Sequence, residues 1–181
     1  NNLYNQPNKN AAAIEALNNN TATTPLTNKA LESQAPGSTF KLITAAAALQ
    51  EGHITQYTPF NVPSTLLELK DENGEAFYLV DWNAHGYLTH VRDALAVSSN
   101  HYFEMASCGI LGQTPGLGKD VDESAVILGY YARAFGLGKL TGIDVTGEYA
   151  GRIPSPQWME DHYQGERDWY YSDTCFMGIG Q

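Results

Sequence analysis

Ser38 and Lys41 are the residues of this sequence best suited to covalent chemistry. Side chains three positions apart on a helix lie on the same face, so the Lys41 amine is expected to reach the Ser38 hydroxyl. A serine hydroxyl is a weak nucleophile at neutral pH unless a neighbouring base takes its proton. A lysine can serve as that base only where burial lowers its pKa. The pair therefore predicts a nucleophilic serine with a lysine base.

The residues around this pair predict the start of a helix. Pro36 has the fixed φ angle that suits a helix entry, and Gly37 allows a tight turn beside it. Helix is expected to begin near Ser38. The alanine-rich run 44–49 favours its continuation, and Gly52 favours its end.

The same segment predicts an environment for catalysis. Phe40, Leu42 and Ile43 are expected to form an apolar wall around the lysine amine. The first-turn amides and the positive end of the helix dipole would favour negative charge beside Ser38. The pattern Ser-x-x-Lys is common by itself, and a surface helix with a solvated Lys41 is the alternative interpretation of the tetrad.

Ser98 and Asn100 form a second polar pair. A helix is predicted from Thr89 to Val97, with Thr89 as its cap, and another helix begins at Ser99. Ser98 and Asn100 would therefore lie where two helices meet, and such junctions can point polar side chains into a cleft. Helix capping explains the triplet equally well when it is taken alone. Its combination with the serine–lysine pair favours a catalytic site.

Taken together, these motifs resemble those of the penicillin-binding transpeptidases, whose signature includes Ser-x-x-Lys and a Ser-x-Asn-like element. Residues 35–41 resemble the family's Pro-Gly-Ser-Thr-Phe-Lys box, and residues 93–103 resemble the segment around its second motif. Residues 131–144 resemble the family's Phe-Gly-Leu-Gly helix end. Residues 147–158 resemble the Gly-Glu to Pro-x-Pro-x-Trp stretch of class B members, and residues 173–181 resemble the Ile-Gly-Gln stretch of elongation-type members. The resemblance covers nearly the whole chain in family order.

The resemblance implies the transpeptidase fold that penicillin-binding proteins share with serine β-lactamases, a mixed fold of the α+β or α/β class. Residues 1–181 would form one partial transpeptidase domain, mainly its helical half with a small hairpin, because the third motif, Lys-Thr-Gly, does not occur. Much of the central sheet is then expected before Asn1 and after Gln181. Such a piece is expected to be inactive alone and to expose apolar surface on the helix Leu42 to Leu49.

The implied activity is that of a peptidoglycan D,D-transpeptidase, a serine-type enzyme that cross-links stem peptides through an acyl-enzyme and is acylated by β-lactams. Ser38 would be the acylated nucleophile, and Lys41 would take its proton. Ser98 would relay a proton to the leaving amine, and Asn100 would hold the substrate amide. Ser38, Ser98 and Asn100 would thus also bind substrate, and the Ser38 N–H would give half of an oxyanion hole.

The resemblance implies neither a cofactor nor a metal. The implied partners are the stem peptide, β-lactam antibiotics and the cell-wall elongation machinery. The implied location is the extracytoplasmic face of the bacterial inner membrane, with an anchor outside this chain. Two alternatives stay open. One is a serine β-lactamase, which also needs a deacylating base, and the other is a non-catalytic β-lactam sensor, which needs a partner domain. Nitrocefin hydrolysis would distinguish the β-lactamase.

The composition is that of a globular domain, with 43% apolar and 17% charged residues. A formal net charge of −10 makes nucleic-acid binding unfavourable, because phosphate contacts need a basic surface. The sequence contains no run of 18 apolar residues, and its first residues lack the pattern of a signal peptide.

Several structural expectations follow from shorter patterns. A hairpin is expected with strands at 66–70 and 76–80, because Asn73-Gly74 separates two apolar runs. Cys108 and Cys175 have no zinc-ligand spacing and are interpreted as buried free thiols. His85, in a segment that also resembles the family, is interpreted as a structural loop residue rather than a base.

Three further segments are assigned by periodicity and turn signals. A short helix is expected at Ala11 to Leu17, and an extended segment at Thr21 to Leu26. A longer helix is expected from Val121 to Phe135. Its buried face is expected to consist of Val126, Ile127, Tyr130, Tyr131 and Ala134.

Overall fold

A computed structural model describes residues 7–62, 64–70, 73–110 and 114–181. The chain divides into two compact units, one formed by residues 1–33 and 142–149 and the other by residues 34–141 and 150–181. The second unit contains all four candidate site residues.

The first unit contains helix α1, Pro7–Asn18, which confirms the helix expected at Ala11 to Leu17 and extends it. The extended segment expected at Thr21 to Leu26 is wrong, because the chain forms turns there. The Asn20 side chain accepts a hydrogen bond from Thr23 N at 3.0 Å. Asparagine side chains stabilise turns in this way, and that local bond outweighs the extended preference next to the proline.

The helices of the second unit begin with a 3₁₀ turn at Gly37–Phe40, which leads directly into α2. The α-helices of this unit are α2 Lys41–Gln50, α3 Val91–Ala96, α4 Asn100–Cys108, α5 Val121–Ala134, α6 Pro156–Tyr163 and α7 Tyr171–Gly178. No helix in the described ranges is both long and apolar enough to cross a bilayer.

The strands form two small antiparallel sheets within the described residues. Strand β1, Phe60–Val62, pairs with β4, Gly86–Leu88. Strand β2, Leu66–Lys70, pairs with β3, Ala76–Val80, and the register places Leu66 opposite Val80. This second pair confirms the hairpin expected from the Asn-Gly turn.

Helix α4 lies in the core, since every residue from His101 to Cys108 is buried. It packs against α2, α5 and α7. Small buried residues on α2, Ala45, Ala47 and Ala48, allow the neighbouring helices to approach closely. Leu42 is 62% exposed, so it does not belong to the apolar wall expected around Lys41, whereas Phe40 and Ile43 are buried.

The buried face of α5 differs from the expected one. It consists of small residues with one leucine, Ser124, Ala125, Leu128, Gly129 and Ala132, whereas Val126 and Tyr130 are exposed. Ile127 and Tyr131 pack only partly against the core. The helical period allows either face to be buried, and close packing against α2 selects the face with the smaller side chains.

Cys108 and Cys175 form a disulfide, so the prediction of two free thiols is wrong. The two residues are 67 positions apart, and their Cα atoms are 5.0 Å apart where α4 packs beside α7. Two isolated cysteines in a sequence do not reveal such a pairing, because helix packing alone brings them together.

Removing this disulfide is expected to destabilise the domain by about 4 kcal/mol, the chain-entropy value for a closed loop of this length. The measurement is thermal unfolding of the protein with and without reductant. In the variant with both Cys108→Ser and Cys175→Ser, reductant is expected to have no further effect. An unchanged melting temperature after verified reduction of the unsubstituted protein would contradict the expectation.

Candidate active site

Ser38 lies in the 3₁₀ turn that precedes α2, so the expected helix start is confirmed, with a tighter first turn. Gly37 enters this turn with φ +56°, a conformation that a glycine adopts without strain. Ser38 is exposed. Its hydroxyl has no hydrogen-bond partner among the described residues, which leaves it open to an incoming carbonyl group.

The end of α7 holds the 3₁₀ turn Gly37–Phe40, which carries the candidate nucleophile Ser38 and is named the nucleophile turn here. Gly37 N donates a hydrogen bond to Gly180 O at 3.0 Å, and the Thr44 hydroxyl of α2 donates one to Gly178 O at 2.7 Å. Gly180 has φ +80°, and a Cβ atom on it would collide with the backbone of Gly37. The end of α7 therefore fixes the position of Ser38 relative to the rest of the site.

Replacing Gly180 with alanine is expected to displace the turn that carries Ser38. A displacement of about 1 Å would slow the penicillin acylation that the family resemblance implies by about 10²-fold. Gly165→Ala is the matched control. Gly165 has a similar φ of +82°, and a Cβ atom there would meet nothing within 4 Å. Acylation rates of the two variants with a fluorescent penicillin provide the measurement, and equal rates would contradict a role for the contact with Gly37.

Lys41 links the two sequence motifs. Its side chain is 1% exposed, and Nζ donates hydrogen bonds to Ser98 O at 2.7 Å, Asn100 Oδ1 at 2.7 Å and Ser98 Oγ at 3.2 Å. The structure thus brings Lys41, Ser98 and Asn100 together. Because Lys41 is buried, the alternative interpretation of a surface helix with a solvated Lys41 is excluded.

Burial lowers the pKa of the Lys41 amine, in the direction that a general base requires. The nearby carboxyl groups of Asp81 and Glu104 oppose this effect, but burial outweighs them. The expected contact between the lysine amine and the Ser38 hydroxyl is not formed. The reason is that the three donors of a lysine ammonium are engaged by Ser98 and Asn100.

The junction between α3 and α4 confirms the expected position of Ser98. This residue has φ +55°, which costs a non-glycine residue about 1–2 kcal/mol. Capping of α4 falls to Ser99, whose Oγ accepts a hydrogen bond from Tyr102 N at 3.2 Å. Because Ser99 satisfies the helix end, capping does not account for Ser98.

The expected cap of α3 is wrong. This helix begins at Val91, and its N-cap residue is His90, which makes no side-chain cap bond. The Thr89 hydroxyl instead forms a hydrogen bond with His90 Nδ1 at 2.7 Å. A ring nitrogen in the next residue competes for the hydroxyl that would otherwise bond the helix backbone.

Two buried acids lie near the site and were not singled out from the sequence. Asp81 accepts hydrogen bonds from the junction between α3 and α4, and Glu104 of α4 is bonded through Oε2 to His101 Nδ1 at 2.9 Å. Burial raises the pKa of the Glu104 carboxyl, and the bond with His101 partly offsets this effect. Neither acid belongs to a motif, and the sequence signal was limited to the position of Asp81 directly after a strand.

His85 lies beside Asp81, with 3.7 Å between Nε2 and Oδ1, and its ring packs edge-on against Trp82. These contacts are those of a structural loop residue. In the described part of the chain, no group of three or more histidine, cysteine or acidic side chains is placed to hold a metal ion.

The sequence matches the family model of the penicillin-binding protein transpeptidase domain over residues 3–180. The chain belongs to this family. It is 30% identical over 166 residues to the peptidoglycan D,D-transpeptidase MrdA of Escherichia coli K12, an alignment that covers 90% of this chain and 23% of the relative. The chain therefore spans about a quarter of the length of the curated relatives it matches.

Solved structures of the same family share the fold. Penicillin-binding protein PBP2 of Pseudomonas aeruginosa, in complex with WCK 5153, has a TM-score of 0.73 and 26% identity, covering 94% of this chain and 34% of that one. The penicillin G acyl-enzyme of penicillin-binding protein A from M. tuberculosis has a TM-score of 0.63 and 27% identity, covering 97% and 34%. The predictions of a class B penicillin-binding transpeptidase domain and of its fold are confirmed.

Proposed function

We propose that the protein containing this chain is a peptidoglycan D,D-transpeptidase that forms an acyl-enzyme on Ser38, and that β-lactams acylate the same hydroxyl. The observation that carries the proposal is the buried Lys41 amine, which Ser98 and Asn100 hold one helical turn from the exposed Ser38. The printed names of the relatives support the reaction class. A relative solved as a penicillin G acyl-enzyme supports acylation by β-lactams.

In the proposed reaction, Ser38 Oγ attacks the carbonyl carbon between the two D-alanine residues of a stem peptide. An unprotonated Lys41 amine has two N–H donors instead of three, so it releases one of its bonds to Ser98 and Asn100 and can turn its lone pair toward Ser38. The hydroxyl proton passes to this lone pair, and the Ser38 N–H donates to the developing oxyanion. When the C–N bond breaks, Ser98 Oγ gives its proton to the leaving D-alanine amine and receives one from the protonated Lys41 amine, 3.2 Å away in the resting site. An amine of a second stem peptide then attacks the ester. Its proton returns to Ser38 Oγ through the Lys41 amine as the ester bond breaks, which completes the cross-link.

Asn100 is proposed to hold the substrate amide. In the resting site both ends of its side chain are engaged, Oδ1 by Lys41 and Nδ2 by Val80 O at 2.9 Å. Substrate binding would therefore exchange one of these bonds for a bond to the peptide. The bond to Val80 O is exposed whereas the bond to Lys41 is partly buried, and loss of the former would leave the lysine contact in place.

We extend the proposal to an extracytoplasmic location in the bacterial cell envelope and to the elongation machinery as a partner. The pairing of Cys108 with Cys175 supports this location, because disulfides persist in oxidising compartments. Stem peptides, the proposed substrates, are also found outside the inner membrane.

The test is incubation of the protein with a fluorescent penicillin, followed by intact-mass and peptide mass spectrometry. A β-lactam ring opens without expelling a leaving group, so the expected result is one adduct with the whole mass of the penicillin on the Ser38 peptide. Nitrocefin is expected to be consumed once per protein. Continuous turnover would instead indicate a β-lactamase, and the absence of an adduct on Ser38 would contradict the proposal.

A further inference from the structure

Asp81 is a buried carboxylate that the proposed reaction does not use. It is 2% exposed and directly follows strand β3. Oδ2 accepts hydrogen bonds from Ser99 Oγ at 2.8 Å and from His101 N at 3.2 Å, and Oδ1 accepts one from Trp82 N at 2.8 Å. All of these partners are donors, so the site is built for a charged carboxylate.

Two of the bonds to Asp81 come from the residues on either side of Asn100, the residue whose Oδ1 bonds Lys41. Ser99 and His101 are the neighbours of Asn100, and both bond the same carboxylate oxygen. Ser98, the residue before Ser99, has the unfavourable φ of +55°. A left-handed serine persists only where its surroundings hold it, and the carboxylate of Asp81 supplies two of the bonds that hold this turn.

The strand that ends beside Asp81 also orients the Asn100 amide. Val80 O accepts a hydrogen bond from Asn100 Nδ2 at 2.9 Å, which turns Oδ1 toward Lys41 Nζ at 2.7 Å. Backbone and side chain of Asn100 are thus fixed by two consecutive residues at the end of β3. The Ser98 carbonyl that accepts from the same amine belongs to the same turn.

We propose that Asp81 is a positioning residue, which holds the turn 98–100 so that its oxygen atoms face the Lys41 amine. This inference rests on the proposed function of the site. Asp81 does not touch the reacting atoms, and it acts through the geometry of the turn and through its charge.

The charge of Asp81 also acts on the lysine base. Burial would raise the pKa of the Asp81 carboxyl, but hydrogen bonds from the Asn100 backbone, the Ser99 hydroxyl and the backbones of His101 and Trp82 lower it overall. The resulting carboxylate attracts a proton to Lys41 and raises the pKa of that amine against the larger effect of burial. Removing this charge is expected to lower the pKa of Lys41 further.

The other ionisable groups of the cluster are His85 beside Asp81, and Glu104 and His101 on α4. Four ionisable side chains on α3, α5 and α7 have partners outside this cluster. Asp93 of α3 contacts His90 and Arg92, Glu123 of α5 accepts from Lys119 N, Tyr131 of α5 bonds Glu51, and Asp173 of α7 pairs with Arg167. The shift expected on removing Asp81 is therefore assigned to its own charge.

The test compares Asp81→Asn with the unsubstituted protein in the rate of acylation by a fluorescent penicillin as a function of pH. An asparagine cannot accept all the bonds that the carboxylate accepts, so the rate is expected to fall by up to about 10²-fold. Acylation requires the unprotonated amine and rises with pH through the pKa of Lys41. The acidic limb of the profile is therefore expected to move to lower pH.

Two serine variants test the positioning role without changing any charge. Ser99→Ala removes one bond to Asp81 together with the α4 cap bond from Tyr102 N. It is expected to slow acylation several-fold with no movement of the acidic limb. Ser107→Ala is the matched control. Ser107 is a buried serine of the same helix region, bonded to Glu104 O at 2.9 Å and outside the site, and its loss is expected to leave acylation unchanged. If the Asp81→Asn protein does not fold, the comparison of Ser99→Ala with Ser107→Ala tests the positioning role by itself.

The outcomes separate this inference from the proposed function. An unsubstituted protein that takes up no penicillin on Ser38 would contradict the proposed function and, with it, the role of Asp81. Normal labelling of that protein together with an unchanged rate and pH profile for Asp81→Asn would contradict only the role of Asp81. Equal acylation by the Ser99→Ala and Ser107→Ala proteins would overturn the positioning of the turn.

Discussion

Replacing Ser38 with alanine is expected to abolish covalent labelling, by a fluorescent penicillin, of the full-length protein that contains this chain. The acyl group would have no oxygen on which to form an ester, whereas the rest of the site would remain in place. Ser38 is exposed and its hydroxyl makes no bond within the described chain, so the substitution should not disturb folding. Gel fluorescence and intact mass after incubation provide the measurement.

Thr39→Ala is the matched control for this substitution. Thr39 is the exposed neighbouring residue, and its hydroxyl makes one local bond, to Pro36 O at 2.8 Å. Labelling of this variant is expected to equal that of the unsubstituted protein. Labelling of the Ser38→Ala protein at normal stoichiometry would rule out Ser38 as the nucleophile.

Replacing Lys41 with methionine is expected to slow acylation by about 10²–10⁴-fold, the usual contribution of a general base. Methionine keeps an apolar stem of similar shape in a site that is almost fully buried. Reversible binding of penicillin is expected to persist, because the reaction loses its base and not its nucleophile. Stopped-flow or quenched-flow acylation at several penicillin concentrations separates the two effects.

Lys41→Arg distinguishes a base from a positive charge. An arginine would keep the charge near Asp81 and Glu104, but its guanidinium stays protonated at any pH at which the protein is folded. Acylation by this variant is expected to remain as slow as in Lys41→Met. Recovery of the normal rate would show that the lysine acts through its charge alone.

The disulfide and the turn that carries Ser38 are both connected to α7. Cys175 anchors α7 to α4, and the end of α7 bonds Gly37 beside Ser38. Reduction of the disulfide and replacement of Gly180 therefore test the support of the turn at two points, one within α7 and one just after its last residue. If reduction of the disulfide lowers the stability of the protein but leaves the acylation rate unchanged, the turn is supported by Gly178 and Gly180 and not by the disulfide.

Local patterns in the sequence determined a large part of this protein. Pro36 and Gly37 predicted the start of the helix after Ser38, and Asn73-Gly74 between two apolar runs predicted the β2–β3 hairpin. The junction at Ser98 also followed from its neighbours. These features depend on residues within a few positions of one another, so backbone preference and turn chemistry suffice to predict them.

Other features were decided by tertiary packing. The buried face of α5 was wrong in the sequence interpretation, because a helix with apolar residues on two faces buries the one that its neighbour can approach closely. The pairing of Cys108 with Cys175 has the same cause, since only the contact between α4 and α7 brings them within bonding distance. Contacts between residues far apart in the chain leave no local pattern.

The candidate site likewise combines features that the sequence predicted with features that only the tertiary structure showed. From the sequence by itself, Ser38, Lys41, Ser98 and Asn100 are predicted as candidate site residues, because their motifs are short and their spacing is fixed. Only the tertiary structure showed that the Lys41 amine bonds Ser98 and Asn100 in place of Ser38, and that Asp81 supports the turn. A buried amine bonds the acceptors that packing places around it. Those acceptors, Ser98 and Asn100, lie 57 and 59 residues further along the chain.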